Sequence, residues 1–392
     1  MIVSGYTPLP PGQDTQVLTN VNGSNIYSYS GYNFSGGDMF AENTVNDISG
    51  SLNIINQAWF GLVLHPNGLI YSTPYAKKST LVINPYTNRW TETPIPILLN
   101  TDFGDYYRGG VVASNGKIYY PPFIGQDILV NDVPNNRFYK INAPSGQYAR
   151  YNGCVLGPNG LIYCVPLDEN NVMIINPNTD TYTTIDISGV TGFLKWAGGV
   201  LGNNGKIYCA PAYATSVLVI DTTNNTTQYD ISGLNGYPAT VGYTFNAFKW
   251  NGGALGANNK IYFVPYSYPT TGSQILEIDT SNNIGNLVGP SFTGSTSARR
   301  YIGATLAPNG VIYSFFEVTG PILSINTNTS TPTFSTSITT TQRCWGSCLA
   351  PNGKIYAIPI GSGSVDPYTI KELKTGIPRM PNWMIAPEFN KF

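Results

Sequence analysis

LGNNGKIYCAP, residues 201–211, reads as the end of one β-strand, a tight turn and a second strand. The Asn204–Gly205 pair supplies the turn, with glycine where the backbone needs a positive φ. The phrase recurs seven times: HPNGLIYSTP (65–74), ASNGKIYYPP (113–122), GPNGLIYCVP (157–166), GNNGKIYCAP (202–211), GANNKIYFVP (256–265), APNGVIYSFF (307–316) and APNGKIYAIP (350–359). Its tyrosines are Tyr71, Tyr119, Tyr163, Tyr208, Tyr262, Tyr313 and Tyr356, at intervals of 43 to 54 residues. A repeat of that length holds four short strands, the content of one propeller blade. The sequence therefore predicts an all-β, seven-bladed β-propeller with four antiparallel strands per blade.

Working outward from Trp196, GGVLG is an inner strand of small and apolar residues, and KIYCAP is the second strand. SVLVIDT, alternating and β-branched, is the third, and TTQYDI is the outer strand. The last repeat breaks this pattern. It offers GSCLA, KIYAIP and YTIKEL, and the proline-punctuated GIPRMPNWMIAPEF that follows has no fourth strand. NDISG at 46–50 echoes the outer-strand ends TIDISG (184–189) and YDISG (229–233). Residues around 43–49 are therefore expected to complete the last blade and to protect two sheet edges. The organisation that follows is an N-terminal extension over 1–40, the propeller over 41–376 and a C-terminal tail over 377–392. Both termini should emerge on the bottom face, leaving free the top face, which carries the loops between second and third strands.

Composition narrows the function classes. Only 10% of the residues are charged and 42% are hydrophobic, which excludes disorder. The formal net charge of −1 provides no field to gather nucleic acid, so no nucleic-acid partner is expected. No apolar run reaches the length of a membrane helix, so no membrane insertion is expected. The first residues lack the basic and apolar segments of a signal peptide. Five cysteines without metal-type spacing and a single histidine argue against a zinc site, and neither a metal nor a cofactor is expected. Cys154 and Cys164 fall on facing strands across the Asn–Gly turn and are expected as free buried thiols. His65 is read as a solvated turn residue.

The blade resembles a kelch repeat: INPYTNRW (83–90) and INPNTDTY (175–182) match the kelch turn between third and outer strands. The glycine pair departs from the kelch pattern by lying in the inner strand. The extension, LPPGQDTQVLTNVNGSNIYSYSG, is similar to the short motif of bacteriophage tail and head fibres through Gly12, Gln16, Val17, Leu18, Thr19 and Gly23, without the usual final tryptophan. That resemblance implies a non-enzymatic structural protein on the tail or capsid surface of a virion assembled in the host cytoplasm. Other virion proteins would hold the extension and the bottom face, and a host-surface glycan would meet the top. The alternatives are a propeller-type polysaccharide-degrading enzyme and a cellular kelch-like interaction module.

Each blade has an aromatic before its inner strand: Trp59, Tyr107, Tyr151, Trp196, Trp250, Tyr301 and Trp345. Basic residues precede four of them, namely Arg150, Lys195, Lys249 and Arg300, while Arg108 follows Tyr107 and Arg343 stands two before Trp345. Aromatic and cationic side chains at a channel mouth suit an acidic glycan. Arg150, Lys195, Lys249, Arg300, Trp196 and Trp250 are accordingly the candidate ligand-binding set, against the competing reading of aromatics wedged between blades and cations bonded to neighbouring loops. Asp102, Asp105, Asp127, Asp168 and Glu169 share the top face but form no recognisable acid–base pair, so no catalytic residue is assigned.

Overall fold

The computed structural model describes residues 14–21, 24–30, 44–48, 52, 58–98, 107–143, 146, 149–228, 248–266, 273–292, 301–317, 320–340, 343–360 and 370–375. Among these are seven four-stranded antiparallel sheets and one two-stranded hairpin. Among the described residues helix is confined to two short 3-10 turns, Pro96–Leu98 and Val133–Asn135. Contacts divide the chain into Met1–Phe40 and Ala41–Phe392. The first unit contains the hairpin, Asp14–Val21 paired with Ser24–Ser30, which carries most of the fibre-like motif. The C-terminal segment 377–392 lies outside the described residues.

The repeated phrase builds the first two strands of every blade. Blade one runs Trp59–Leu64, Ile70–Pro74, Ser79–Asn84 and Arg89–Pro94, from the axis outward. Blade four runs Trp196–Leu201, Lys206–Pro211, Leu218–Asp221 and Thr226–Gln228. The first three strands are apolar on both faces because each blade is covered by a neighbour on either side. The outer strand is exposed or half-buried throughout, as in Thr181–Asp186 and Arg89–Pro94, because it lies at the rim of the blade.

Each pair of neighbouring blades shares its own core. Tyr151, Cys154, Cys164, Met173 and Ile175 of blade three lie against Val111, Tyr119, Ile128 and Val130 of blade two. The same arrangement recurs between blades three and four and round to blades six and seven. Cys154 pairs directly with Cys164 across the hairpin, and both are free thiols, as the sequence predicted. Burial pushes the ionisation of both far up, which keeps them protonated and inert.

Closure follows the predicted exchange. Thr44–Asp47 pairs antiparallel with Lys371–Lys374 and supplies the fourth strand of the blade built on Cys344–Leu349 and Ile355–Pro359. Lys371 forms an ion pair with Asp47 across this seam. Thr44 faces Lys374 at the end of the sheet that holds the Asn–Gly turns. The chain therefore enters and leaves the ring on the bottom face.

The Asn–Tyr pairing within the phrase explains its recurrence. In all seven blades the turn asparagine donates to the tyrosine hydroxyl four residues on, at 2.8–3.2 Å. In six of them it also donates to a backbone carbonyl of the next blade: Asn115 to Pro177, Asn159 to Thr222, Asn204 to Thr280, Asn258 to Thr329, Asn309 to Thr375 and Asn352 to Pro85. The hydroxyls of Tyr163, Tyr208 and Tyr356 in turn donate to Asn225, Asn283 and Asn88, left-handed turn residues of the following blade. Asp180 takes that place opposite Tyr119. A neutral staple thus fastens blade to blade along the bottom.

His65 is part of this seam, which corrects the reading of a solvated residue. It is 6% exposed. Its Nδ1 accepts the Asn67 N–H at 3.1 Å, so Nε2 carries the proton and donates to the Gly116 carbonyl of blade two at 2.8 Å. In the first blade the histidine makes the inter-blade bond that asparagine makes elsewhere.

Candidate functional site

The inner strands approach the axis through a repeated bulge. Register slips by one residue between Trp59 and Leu62, Tyr151 and Cys154, Trp196 and Gly199, Trp250 and Gly253, and Cys344 and Ser347. Each blade carries a glycine at positive φ two residues after the residue that pairs with the end of the repeated phrase: Gly61, Gly109, Gly153, Gly198, Gly252, Gly303 and Gly346. Neighbouring members nearly touch, since a Cβ on Gly198 would stand 2.7 Å from the Gly252 Cα. The seven glycines form a tight collar, as expected where backbones converge.

This register corrects one assignment. Cys344, not Trp345, faces Pro359, as Trp59 faces Pro74 and Trp196 faces Pro211. Trp345 therefore belongs to the next tier, one residue before the collar, with Phe60, Arg108, Asn152, Ala197, Asn251 and Ile302. This tier turns inward. Phe60, Ala197, Ile302 and Trp345, from four different blades, share one apolar cluster with Phe123, Leu167, Phe248, Tyr266 and Ile360.

The remaining ring aromatics wedge between blades and are at most 1% exposed. The indole N–H groups of Trp59, Trp196 and Trp250 donate to Ser79, Ser216 and Gln274 carbonyls at the start of the third strand of their own blades, at 2.8–2.9 Å. Tyr151 reaches Asn171 in the same way, at 2.6 Å. Trp196 and Trp250, proposed from sequence as ligand contacts, thus occupy packing positions.

The basic residues bond to top loops, mostly those of the preceding blade; the exception is the Arg150–Glu169 pair, which lies within blade three. Arg150, 2% exposed, gives Nε to Glu169 at 2.6 Å and Nη1 to the Gln126 carbonyl at 3.0 Å. Lys195, 1% exposed, donates to the Asp168 and Gly192 carbonyls and to Asn170 Oδ1. Lys249 donates to the Ala214 carbonyl, and Arg343 to the Glu317 carbonyl. Burial lowers the pKa of Lys195, against the pull of Asp168 and Glu169, and lowers that of Lys249 to about 8. Arg300 lies outside the described residues, with Asp102 and Asp105. Asp168 accepts the Leu194 N–H at 2.6 Å, and burial raises its pKa. Asp127 faces Lys140 at 3.8 Å. Among the described residues no group of three or more metal-ligating side chains occurs, and no helix is long and apolar enough to cross a membrane.

Arg108 differs from these cations. Its guanidinium carbon lies 3.8 Å from the Phe123 ring centre, 4.9 Å from Phe60 and 5.3 Å from Tyr75. Trp345 closes the group, 5.1 Å from Phe60 and edge-on to Tyr75 at 5.5 Å. Nη2 donates to the Tyr75 hydroxyl at 3.1 Å, and the buried Nε has no hydrogen-bond partner. In the neighbouring blade Asn152, 3% exposed, has an unsatisfied side-chain Nδ2. The two blades are joined there by the Gly153 N–H, which donates to the Arg108 carbonyl at 3.0 Å. Sequence reading named Arg108 but did not place it in the candidate set, and it missed Asn152.

No family model matches the chain, and no curated protein matches it. Solved structures with the same fold include a streptogramin B lyase, at 16% identity and TM-score 0.64, covering 84% of this chain and 97% of that one. A catalytically inactive histidine-to-alanine variant of virginiamycin B lyase from Staphylococcus aureus, with quinupristin, aligns at 15% identity and TM-score 0.64, over 84% and 99% of the two chains. The WD40 repeats of RRP9 align at 10% identity and TM-score 0.61, over 86% and 99%. These likenesses establish the propeller architecture and do not single out kelch proteins.

Proposed function

We propose that this propeller is a non-catalytic recognition head of a bacteriophage virion, held through its N-terminal segment and bottom face and presenting its top face to a host-surface glycan. The observation that supports the non-catalytic part is the pairing of Glu169, Asp168, Lys195 and Lys249 within the protein. Glu169 is paired with Arg150, Asp168 caps the Leu194 N–H, and Lys195 and Lys249 are bound to loop carbonyls. Each is engaged by the protein's own groups, and they do not present a paired acid and base to a substrate. The fibre-like motif in the extension and the entry of the chain through the bottom at Thr44 support attachment from that side.

The likeness to virginiamycin B lyase favours one enzymatic alternative, and the single histidine weighs against it. Replacing one histidine inactivates that lyase. Here the only histidine, His65, is bound in the bottom seam. The test is to purify particles through a density gradient and ask by mass spectrometry whether this chain remains at constant stoichiometry, while the purified protein is assayed for polysaccharide cleavage and for opening of quinupristin. Loss of the chain from intact particles would refute virion attachment. Turnover of either substrate class would refute the non-catalytic reading.

A further inference from the structure

We propose that the top of the propeller axis is a binding site for the carboxylate of an acidic sugar, with Arg108 Nε and Asn152 Nδ2 as the donors that receive it. The inference deepens the recognition reading above and rests on it. A guanidinium stays charged at any pH a protein tolerates, so a partly buried one calls for an anion or a full set of acceptors. Other arginines have such partners: Arg150 has Glu169, Arg137 has Asp132 at 2.9 Å, and Arg343 has a backbone carbonyl. Among the described residues Arg108 has only a tyrosine hydroxyl and ring faces, and its Nε is buried without an acceptor. Asn152 adds a second buried donor without a partner from the adjacent blade. Trp345, at the same register position, adds a third in its indole Nε1, and such a group of donors is unusual in a folded interior, where polar groups are paired almost without exception.

The chemistry of the walls selects the class of ligand. The two donors come from one guanidinium and one neutral amide, which together match a single negative charge spread over two oxygens. Phe60, Phe123 and Trp345 back the guanidinium, and the partly exposed Tyr75 offers an aromatic face, which suits the apolar C–H face of a pyranose and gives nothing to a bare inorganic ion. The bulge at the glycine collar places this tier next to the axis, where Arg108 and Tyr75 are its partly exposed members and the side from which a glycan carboxylate would reach the buried donors.

The test uses the full-length protein and D-glucuronate, with D-glucose and acetate as the separated halves of the ligand. Titration followed by calorimetry or by NMR should show glucuronate binding at least about tenfold tighter than either half, because charge and ring are both recognised. Arg108→Gln should abolish the preference for glucuronate over glucose. Because Arg108 also packs against three rings, Asn152→Asp serves as the second variant. It places a carboxylate beside Arg108, so glucuronate binding should vanish while the thermal midpoint rises. Equal affinity for acetate and glucuronate would overturn the sugar assignment, and so would absence of binding. An unchanged or lowered midpoint in Asn152→Asp with binding intact would overturn the assignment of the two donors. Glucuronan incubated alongside separates the two readings. Shortening of the polymer would refute the non-catalytic function while leaving the site, whereas no binding with an intact polymer would refute the site alone.

Discussion

Gly198→Ala and Gly160→Ala separate the demands on a glycine that sequence alone merges. Both residues have positive φ, +81° and +78°. For each, an alanine side chain in the left-handed region costs about 1–2 kcal/mol. Gly160 sits in a bottom turn, and a Cβ there would meet nothing within 4 Å. Gly198 sits in the axial collar, where a Cβ would stand 2.7 Å from Gly252 Cα and 2.9 Å from Gly252 N. Both obstacles are backbone, so relief requires blades four and five to move apart, an overpacking cost of about 1–3 kcal/mol. Gly198→Ala is expected to lose about 2–5 kcal/mol and Gly160→Ala about 1–2 kcal/mol. In urea denaturation, with a slope of about 3 kcal/mol/M, the excess appears as a midpoint lower by about 0.3–1 M. Equal midpoints for the two variants would show that the collar glycines serve their backbone angle alone, and that close approach at the axis does not constrain them.

Three further outcomes test other joints of the ring. Asn204→Ala removes bonds to the Tyr208 hydroxyl, the Thr280 carbonyl and the Lys206 N–H, and should cost about 1–3 kcal/mol in the same assay; a loss below about 0.5 kcal/mol would show that the staple is dispensable. Deleting residues 1–50 removes the strand Thr44–Asp47 and should lower the thermal midpoint sharply, whereas deleting 1–36 should not; equal midpoints for the longer deletion and the full chain would contradict closure by exchange. Lys249 is held at a pKa of about 8 by burial, below the 10.5 of a free lysine, so the unfolded chain binds the extra proton between these values and stability contributed at this site rises with pH across that window, by about 3 kcal/mol in all. The stability of the native protein minus that of Lys249→Met should therefore climb between pH 8 and 10; a flat difference would mean that the ammonium is not desolvated.

The fold and its closure were legible because they rest on repetition. The seven turn phrases, Asn–Gly–x–Ile–Tyr in six blades and Asn–Asn–Lys–Ile–Tyr in the fifth, and the NDISG echo of an outer strand each have a one-dimensional signature. The site was less legible because its register depends on a bulge. Trp345 looks like the ring aromatic of blade seven until one counts from the collar glycine: aromatic, any residue, glycine in Trp59–Gly61 and Trp196–Gly198, but cysteine, tryptophan, glycine in Cys344–Gly346. The same count places Arg108 and Asn152 one residue before their glycines, in the inward tier, and was the signal available for both. Arg150, Lys195 and Lys249 were open to two readings for a different reason. A lysine before an inner strand is compatible with solvent or with the previous blade's loop, and only the three-dimensional course of that loop brings the carbonyls of Gln126, Asp168 and Ala214 into reach.

The low charge of the chain follows from how the ring is held. Blade contacts at the bottom run through asparagine, tyrosine and backbone carbonyls, and at the wedge positions through indole and phenol groups on carbonyls and amides. Such neutral bonds are not weakened by salt and do not titrate near neutral pH, unlike exposed ion pairs. Two seams depart from this plan: His65 makes the bond between blades one and two, and between blades two and three Asp180 replaces asparagine and gathers Lys117, Tyr119 and Tyr139 around it. Even there the charge is matched locally: the surrounding donors hold the Asp180 pKa below its usual value and prevail over burial. A ring that settles its charges by pairing, or avoids them, gives structural stability no reason to place a guanidinium among aromatic rings with a buried Nε left over. Arg108 departs from the rule that organises the rest of the molecule, and a ligand that supplies the missing acceptor restores it.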